Sequence, residues 1–188
     1  MIAKETRLEG FTLIEIMISI TLTGILASLA TVEMQEIVVR NRIAAATSEL
    51  QIALTYARSE AIKRSGHVVI CRSKNPLAEN PSCTKEPNDA KQNRGWGDGW
   101  LIFYDKDGDS VYSKTDVLLQ VQDALFSNAD SGSIIPAPQK NHLVFTSLGQ
   151  IQASYMHFKI MRPRWDANTT HDKVLYIASG GRVRIGSR

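Results

Sequence analysis

The run Phe11–Val32, FTLIEIMISITLTGILASLATV, contains a single charged residue, Glu15, and no proline. As a helix it is about 33 Å long, against a bilayer hydrocarbon core of about 30 Å, so it can cross a membrane. A secretory signal peptide would be cut after a shorter apolar region, at small residues. Here the abrupt boundary lies ahead of the run, at Gly10-Phe11, behind the polar leader MIAKETRLEG. The expectation is that the leader is removed and the apolar segment stays, with no proline kink in it.

Glu15 needs an account, because a carboxylate inside an apolar helix costs about 2.5–3.5 kcal/mol at the bilayer centre and less near the interface. One reading is that Glu15, near the start of the cleaved segment, reaches the headgroups and is solvated. The other is that cleavage exposes a positive α-amino group on Phe11, which Glu15 of another subunit neutralises inside an apolar bundle. Such a pair specifies register more than it adds stability. Flanking charge leaves orientation open, since Lys4 and Arg7 on one side are matched by Arg40 and Arg42 on the other.

Beyond Val32 a helical period continues, with Ile43, Ala46, Leu50, Ala53, Leu54, Ala57 and Ala61 on one face. Lys63, Arg64 and Gly66 read as a helix stop. One helix over 11–65 is predicted, the alternative being two helices with a break near Asn41. Strand-like runs follow at 67–71, 99–104, 143–145, 157–160, 173–178 and 182–185, with Ser110-Val111-Tyr112 opening a further short strand. The fold class is α+β, a long N-terminal helix packed on an antiparallel sheet, organised as a leader (1–10), the helix (11–65, membrane-spanning over 11–32) and a β-rich head (66–188).

Asp105-Lys106-Asp107-Gly108-Asp109 reads as a hairpin turn with Gly108 supplying a positive φ. Carboxylates at alternating positions suit calcium, but the EF-hand glycine and glutamate positions hold Ser110 and Asp116, so no metal is expected. Cys71 and Cys83 flank a polar loop. A bridge across it would contribute roughly 2–3 kcal/mol and imply an oxidising compartment; two independent thiols, or a metal site, are the other readings.

Gly10-Phe11-Thr12-Leu13-Ile14-Glu15 resembles the processing signal of type IV prepilins and type II secretion pseudopilins. The resemblance implies a prepilin peptidase that cuts after Gly10 and methylates Phe11, storage in the inner membrane with the head in the periplasm, and assembly with other pilins through the N-terminal helices into a pilus on the cell surface. Gly95-Trp96-Gly97-Asp98-Gly99-Trp100 and the closing Gly180-Gly181-Arg182-Val183-Arg184 resemble the FimT, FimU and GspH group of minor pilins and pseudopilins. The middle, roughly 113–139, carries little of this resemblance.

In FimT-type proteins of naturally transformable bacteria a C-terminal Gly-Arg-x-Arg is associated with DNA binding, which implies that role for Gly181, Arg182 and Arg184. In an extended segment the two arginines project to one side, about 7 Å apart. The chain carries a net +3, concentrated late: from 159 onward Lys159, Arg162, Arg164, Lys173, Arg182, Arg184 and Arg188 face only Asp166 and Asp172. Arg162, Arg164, Lys173 and Arg188 would extend a phosphate-binding patch that is independent of base sequence. No recognition helix or stacking-platform motif is evident, so base-specific reading is not expected. His67, His142, His157 and His171 are scattered, and no nucleophile elbow or nucleotide loop occurs; neither catalysis nor a cofactor is expected. A structural initiator of pilus assembly and a secretion pseudopilin are the alternatives to a DNA-binding minor pilin.

Overall fold

The computed structural model describes residues 10–88, 94–162 and 172–187. Helix α1 is a single helix, Leu13–Arg64, with no break at Asn41. It ends on Lys63 and Arg64, cations that favour the negative end of a helix dipole. The chain divides into two compact units, one ending at Val38 and the other Val39–Arg188.

In the second unit the face of α1 predicted from periodicity is buried throughout: Ile43, Ala46, Leu50, Ala53, Leu54, Ala57 and Ala61 are at most 2% exposed. They meet two four-stranded sheets, where a single sheet was anticipated. Strands β1 (His67–Arg72), β2 (Trp100–Asp105), β3 (Val117–Gln122) and β5 (His142–Phe145) form the first, in the order β3-β2-β1-β5. Strands β4 (Ser133–Ala137), β6 (Tyr155–Met161), β7 (Lys173–Ala178) and β8 (Val183–Ser187) form the second, ordered β4-β6-β7-β8. Among the described residues every pairing between these strands is antiparallel.

The sheets differ in how their outer faces are treated. Val69, Cys71, Leu101, Phe103 and Val144, outward from the main core, form a second buried cluster with Cys83, Tyr112 and Val121 packed on it. Both faces of β1 and β2 are therefore covered, which is why VVIC and WLIFY read as continuous apolar runs. In contrast β6 alternates buried with more exposed positions, Met156, Phe158 and Ile160 pointing to α1 while Tyr155, His157 and Lys159 lie on the other face.

The first hairpin is wider than anticipated. No strand forms at Ser110–Tyr112; β2 returns as β3 only at Val117. Carboxylates hold the intervening loop, with Asp105 accepting from the backbone N–H of Gly108 (2.8 Å) and Ser110 (3.1 Å). Asp116 accepts from the N–H of Lys106 (3.0 Å) and Ser113 (2.8 Å). These side chains replace the ladder bonds a tight hairpin would make. Gly108 does adopt the positive φ, 81°.

Trp96–Asp98, capped by Gly95 and Gly99, forms a one-turn 3-10 segment that leads into β2, and Gly95 bridges Ile134 of β4. Trp96 is fully buried edge-on to Phe158 (5.0 Å, 73°), and its indole N–H donates to the Lys140 carbonyl (3.0 Å). At Gly95, with φ 60°, a Cβ would fall 2.2 Å from the Ile134 carbonyl oxygen. Only glycine fits there.

Candidate functional site

The C-terminal arginines sit on a hairpin built by β7 and β8. Gly181 donates its N–H to the Ala178 carbonyl (2.8 Å), and Ala178 donates to the Arg182 carbonyl (3.1 Å), closing the turn. Val183 packs toward the core while Arg182 and Arg184, on either side of it, are exposed. The strand alternation read from Arg-Val-Arg is thus the one the chain adopts. Among the described residues neither arginine forms a salt bridge. Gly181 is buried at φ 73°, so its contribution is to the turn rather than to a ligand surface.

The turn is also anchored from outside. Arg58 of α1 donates Nε to the Gly149 carbonyl (3.1 Å), which lies against Gly181, and Ile151 donates its N–H to the Ser179 carbonyl (2.9 Å). The helix therefore fixes where the arginine hairpin begins.

The other basic residues do not all join this surface. Arg162 is buried, its backbone N–H donating to Asp172 Oδ1 (3.2 Å), which removes it from an exposed phosphate patch. With Lys173 it lines a cavity of about 230 Å³ together with Arg40, Asn41, Ile43 and Ala44. Lys159 pairs with Asp172 (3.4 Å). Arg164 and Arg188 lie outside the described residues.

One arrangement was not anticipated. Cross-strand register sets His157 opposite Tyr176, and Tyr155 opposite Ala178. Tyr155, His157 and Tyr176 form an aromatic cluster, with ring centroids 5.5 Å (Tyr155 to His157), 5.8 Å (His157 to Tyr176) and 6.5 Å (Tyr155 to Tyr176) apart. The sequence signal was Tyr155-x-His157, two rings on one face of a strand; Tyr176 is brought in by a pairing that no local pattern reveals.

Cys71 and Cys83 form a disulfide with Cα atoms 5.6 Å apart. Asp105, Asp107 and Asp109 bring carboxylate oxygens within 4.8 Å of one another. Those oxygens accept bonds from the loop itself, including the Thr115 hydroxyl on Asp107 (3.0 Å) and the Val111 N–H on Asp109 (2.7 Å).

At the other end, Gly10 and Phe11 are exposed and the helix starts at Leu13. Thr12 Oγ1 accepts the N–H of Glu15 (3.3 Å), an N-cap that Thr-Leu-Ile-Glu encodes as the first half of a capping box. Phe11, Leu13, Ile14, Ile20 and Leu26 expose large apolar surface. Among the described residues no helix is long and apolar enough to cross a membrane; the side chains of residues 29–32 of the expected span 11–32 lie outside them.

Residues 46–181 match the family model described as type II transport protein GspH, and residues 8–31 match the prokaryotic N-terminal methylation motif. Among solved structures, the chain is similar to the type IV minor pilin FimU of Pseudomonas aeruginosa. In one crystal form the TM-score is 0.56 at 23% identity, covering 78% of this chain and 90% of that one. In a second form it is 0.52, again at 23% identity, covering 76% and 91%. The minor pseudopilin EpsH of the Vibrio cholerae type 2 secretion system gives 0.49 at 12% identity, covering 78% and 97%. No curated protein matches.

Proposed function

We propose, since the chain belongs to the GspH family of type II transport proteins, that it is a minor type IV pilin which binds DNA through Arg182 and Arg184. Membership makes it a membrane-anchored pilus component that packs against other pilins. The finer reading is that a prepilin peptidase removes residues 1–10, methylates Phe11 and leaves segment 11–32 in the inner membrane, with the head in the periplasm. The apolar side chains from Phe11 to Leu26 then pass from lipid to neighbouring helices during assembly, and Glu15 answers the new α-amino group of another subunit.

The observation that carries the DNA reading is the pair of exposed arginines flanking core-packed Val183, with no carboxylate in salt-bridge contact among the described residues. Two guanidinium groups on one side of a strand suit phosphates and read no base sequence. The test is a mobility shift with residues 39–188, the unit that holds the whole buried core, at rising salt. Arg182→Ala with Arg184→Ala is expected to weaken binding and lower the salt slope by about 1.8, for two lost phosphate contacts. Unchanged binding would remove the arginines from the site.

A second reading, a minor pseudopilin of a type II secretion system, is favoured by the description of the matching family. A deletion strain that loses transformation while keeping secretion supports the first reading; loss of secretion supports the second.

A further inference from the structure

We infer that the outer face of the β4-β6-β7-β8 sheet is a stacking platform for a single-stranded stretch of DNA, with bases on Tyr155, His157 and Tyr176 and the backbone along Arg182 and Arg184. This rests on the DNA-binding reading and adds to it the form of the nucleic acid.

The registers define two rows across the sheet. In one, His157 lies opposite Tyr176 and Tyr176 opposite Arg184. In the other, Tyr155 lies opposite Ala178, whose N–H bonds the Arg182 carbonyl. The first row ends on Arg184 of β8, the edge strand, and the second on Arg182, the residue that precedes it. Neighbouring strands are about 4.8 Å apart and successive same-face residues about 7 Å apart, so the rings and guanidinium groups occupy a compact grid.

Cross-strand aromatic pairs can exist merely to stabilise a sheet. Three observations go further. Tyr155 and Tyr176 remain 49% and 40% exposed, although on the opposite face of the same two strands Met156, Phe158, Ile160, Leu175 and Ile177 are buried. Tyr176 leans toward β8, where a Cβ on Gly186 would meet its ring at 2.8 Å, which brings the ring to the arginine-bearing strand. Finally, β4, β6, β7 and β8 contain no Asp or Glu, and the face that carries Tyr155, His157 and Tyr176 also carries Arg184, which has no salt-bridge partner among the described residues, while Lys159 on that face is paired with Asp172. Exposed rings beside unopposed cations complement an unpaired strand, whose bases offer π-faces and whose backbone is anionic. A duplex hides those faces and would meet the arginines alone.

The experiment uses the full chain in detergent micelles and compares a labelled thymidine oligonucleotide with a duplex of equal length by fluorescence anisotropy. Tyr155→Leu with Tyr176→Leu, which keeps apolar cover on the sheet, is expected to lose roughly ten- to hundredfold in single-strand affinity and less than about twofold in duplex affinity. Tyr155→Phe with Tyr176→Phe is expected to retain both. A leucine variant that binds single strands as the native protein does, or loses duplex and single strand in parallel, overturns the platform. So does a phenylalanine variant as weak as the leucine one. In each of those cases the arginine site stands if Arg182→Ala with Arg184→Ala still abolishes duplex binding. A native protein that binds neither form overturns both readings together.

Discussion

Gly181 lies so close to Gly149 that a Cβ built on it would fall 2.0 Å from the Gly149 carbonyl oxygen. At φ 73° a side chain would also meet left-handed strain, about 1–2 kcal/mol before any clash. Gly181→Ala is expected to destabilise the fold by about 2–3 kcal/mol and to displace Arg182. At Gly180 the same Cβ would meet nothing within 4 Å. Thermal melts of the two alanine variants check the contrast, and equal losses would sink it.

Breaking the disulfide is the second prediction. Cys71 is buried on the outer face of β1, and Cys83 packs on the cluster formed by Val69, Leu101, Phe103 and Val144. The bridge joins residues 12 apart in sequence. Cys71→Ser with Cys83→Ser is expected to cost about 2–3 kcal/mol from loop closure, and to expose that cluster. Urea denaturation with and without reductant should show the same loss in the native protein on reduction.

The helix and most strands were legible because their signals are local. The Ile43-to-Ala61 stripe follows the helical period, and each of its residues is buried. Strands β3 and β4 were not legible. VLLQVQ is a half-exposed edge strand with no turn chemistry in the expected place, since Asp105 and Asp116 hold the loop through side chains. SIIPA carries Pro136, which argues against a central strand and is tolerated because β4 is an edge. The same limit applies to the site. Arg182 and Arg184 flank one residue, so alternation placed them together, whereas Tyr155 and Tyr176 meet only through the β6-β7 register. Burial of Arg162 was likewise invisible to a charge count.

Acid is expected to destabilise the head in two steps. Burial, and then the charge of Lys140, hold His142 below its ordinary value of 6.5. A lowered folded value means that stability is full above 6.5 and falls as pH drops through the lowered value, because the unfolded chain binds the proton more readily. The Arg64 hydrogen bond (2.7 Å), helped by Lys63, holds Glu60 below its ordinary 4.5, so its contribution disappears at lower pH still. Asp107 is likewise held below its ordinary 3.8, first by the Thr115 hydroxyl. Melting temperature followed from pH 7 to pH 3 should show both steps, with His142→Gln removing the first and Glu60→Gln shrinking the second.

The last prediction concerns Arg72, which has no exposed surface and donates from Nε (3.1 Å) and Nη2 (2.5 Å) to Asp98 Oδ2. Asp98 Oδ1 accepts from Arg94 Nε (2.6 Å), and the other Arg72 nitrogen reaches the Glu86 and Pro87 carbonyls at 3.3 Å each. This network ties the Trp96-Gly97-Asp98 turn to β1 and to the segment beyond Cys83. Removing one partner of a buried pair leaves an uncompensated charge, and the cost is typically about 3–5 kcal/mol. Asp98→Ala strands Arg72 without its carboxylate and is expected to fall in that range. Arg72→Met leaves Asp98 still paired with Arg94, which is 23% exposed on its side chain and can keep some solvent contact. The arginine substitution should therefore cost less than the aspartate one. Chemical denaturation of both variants decides it, and the reverse order would show that Arg94 contributes little to holding Asp98.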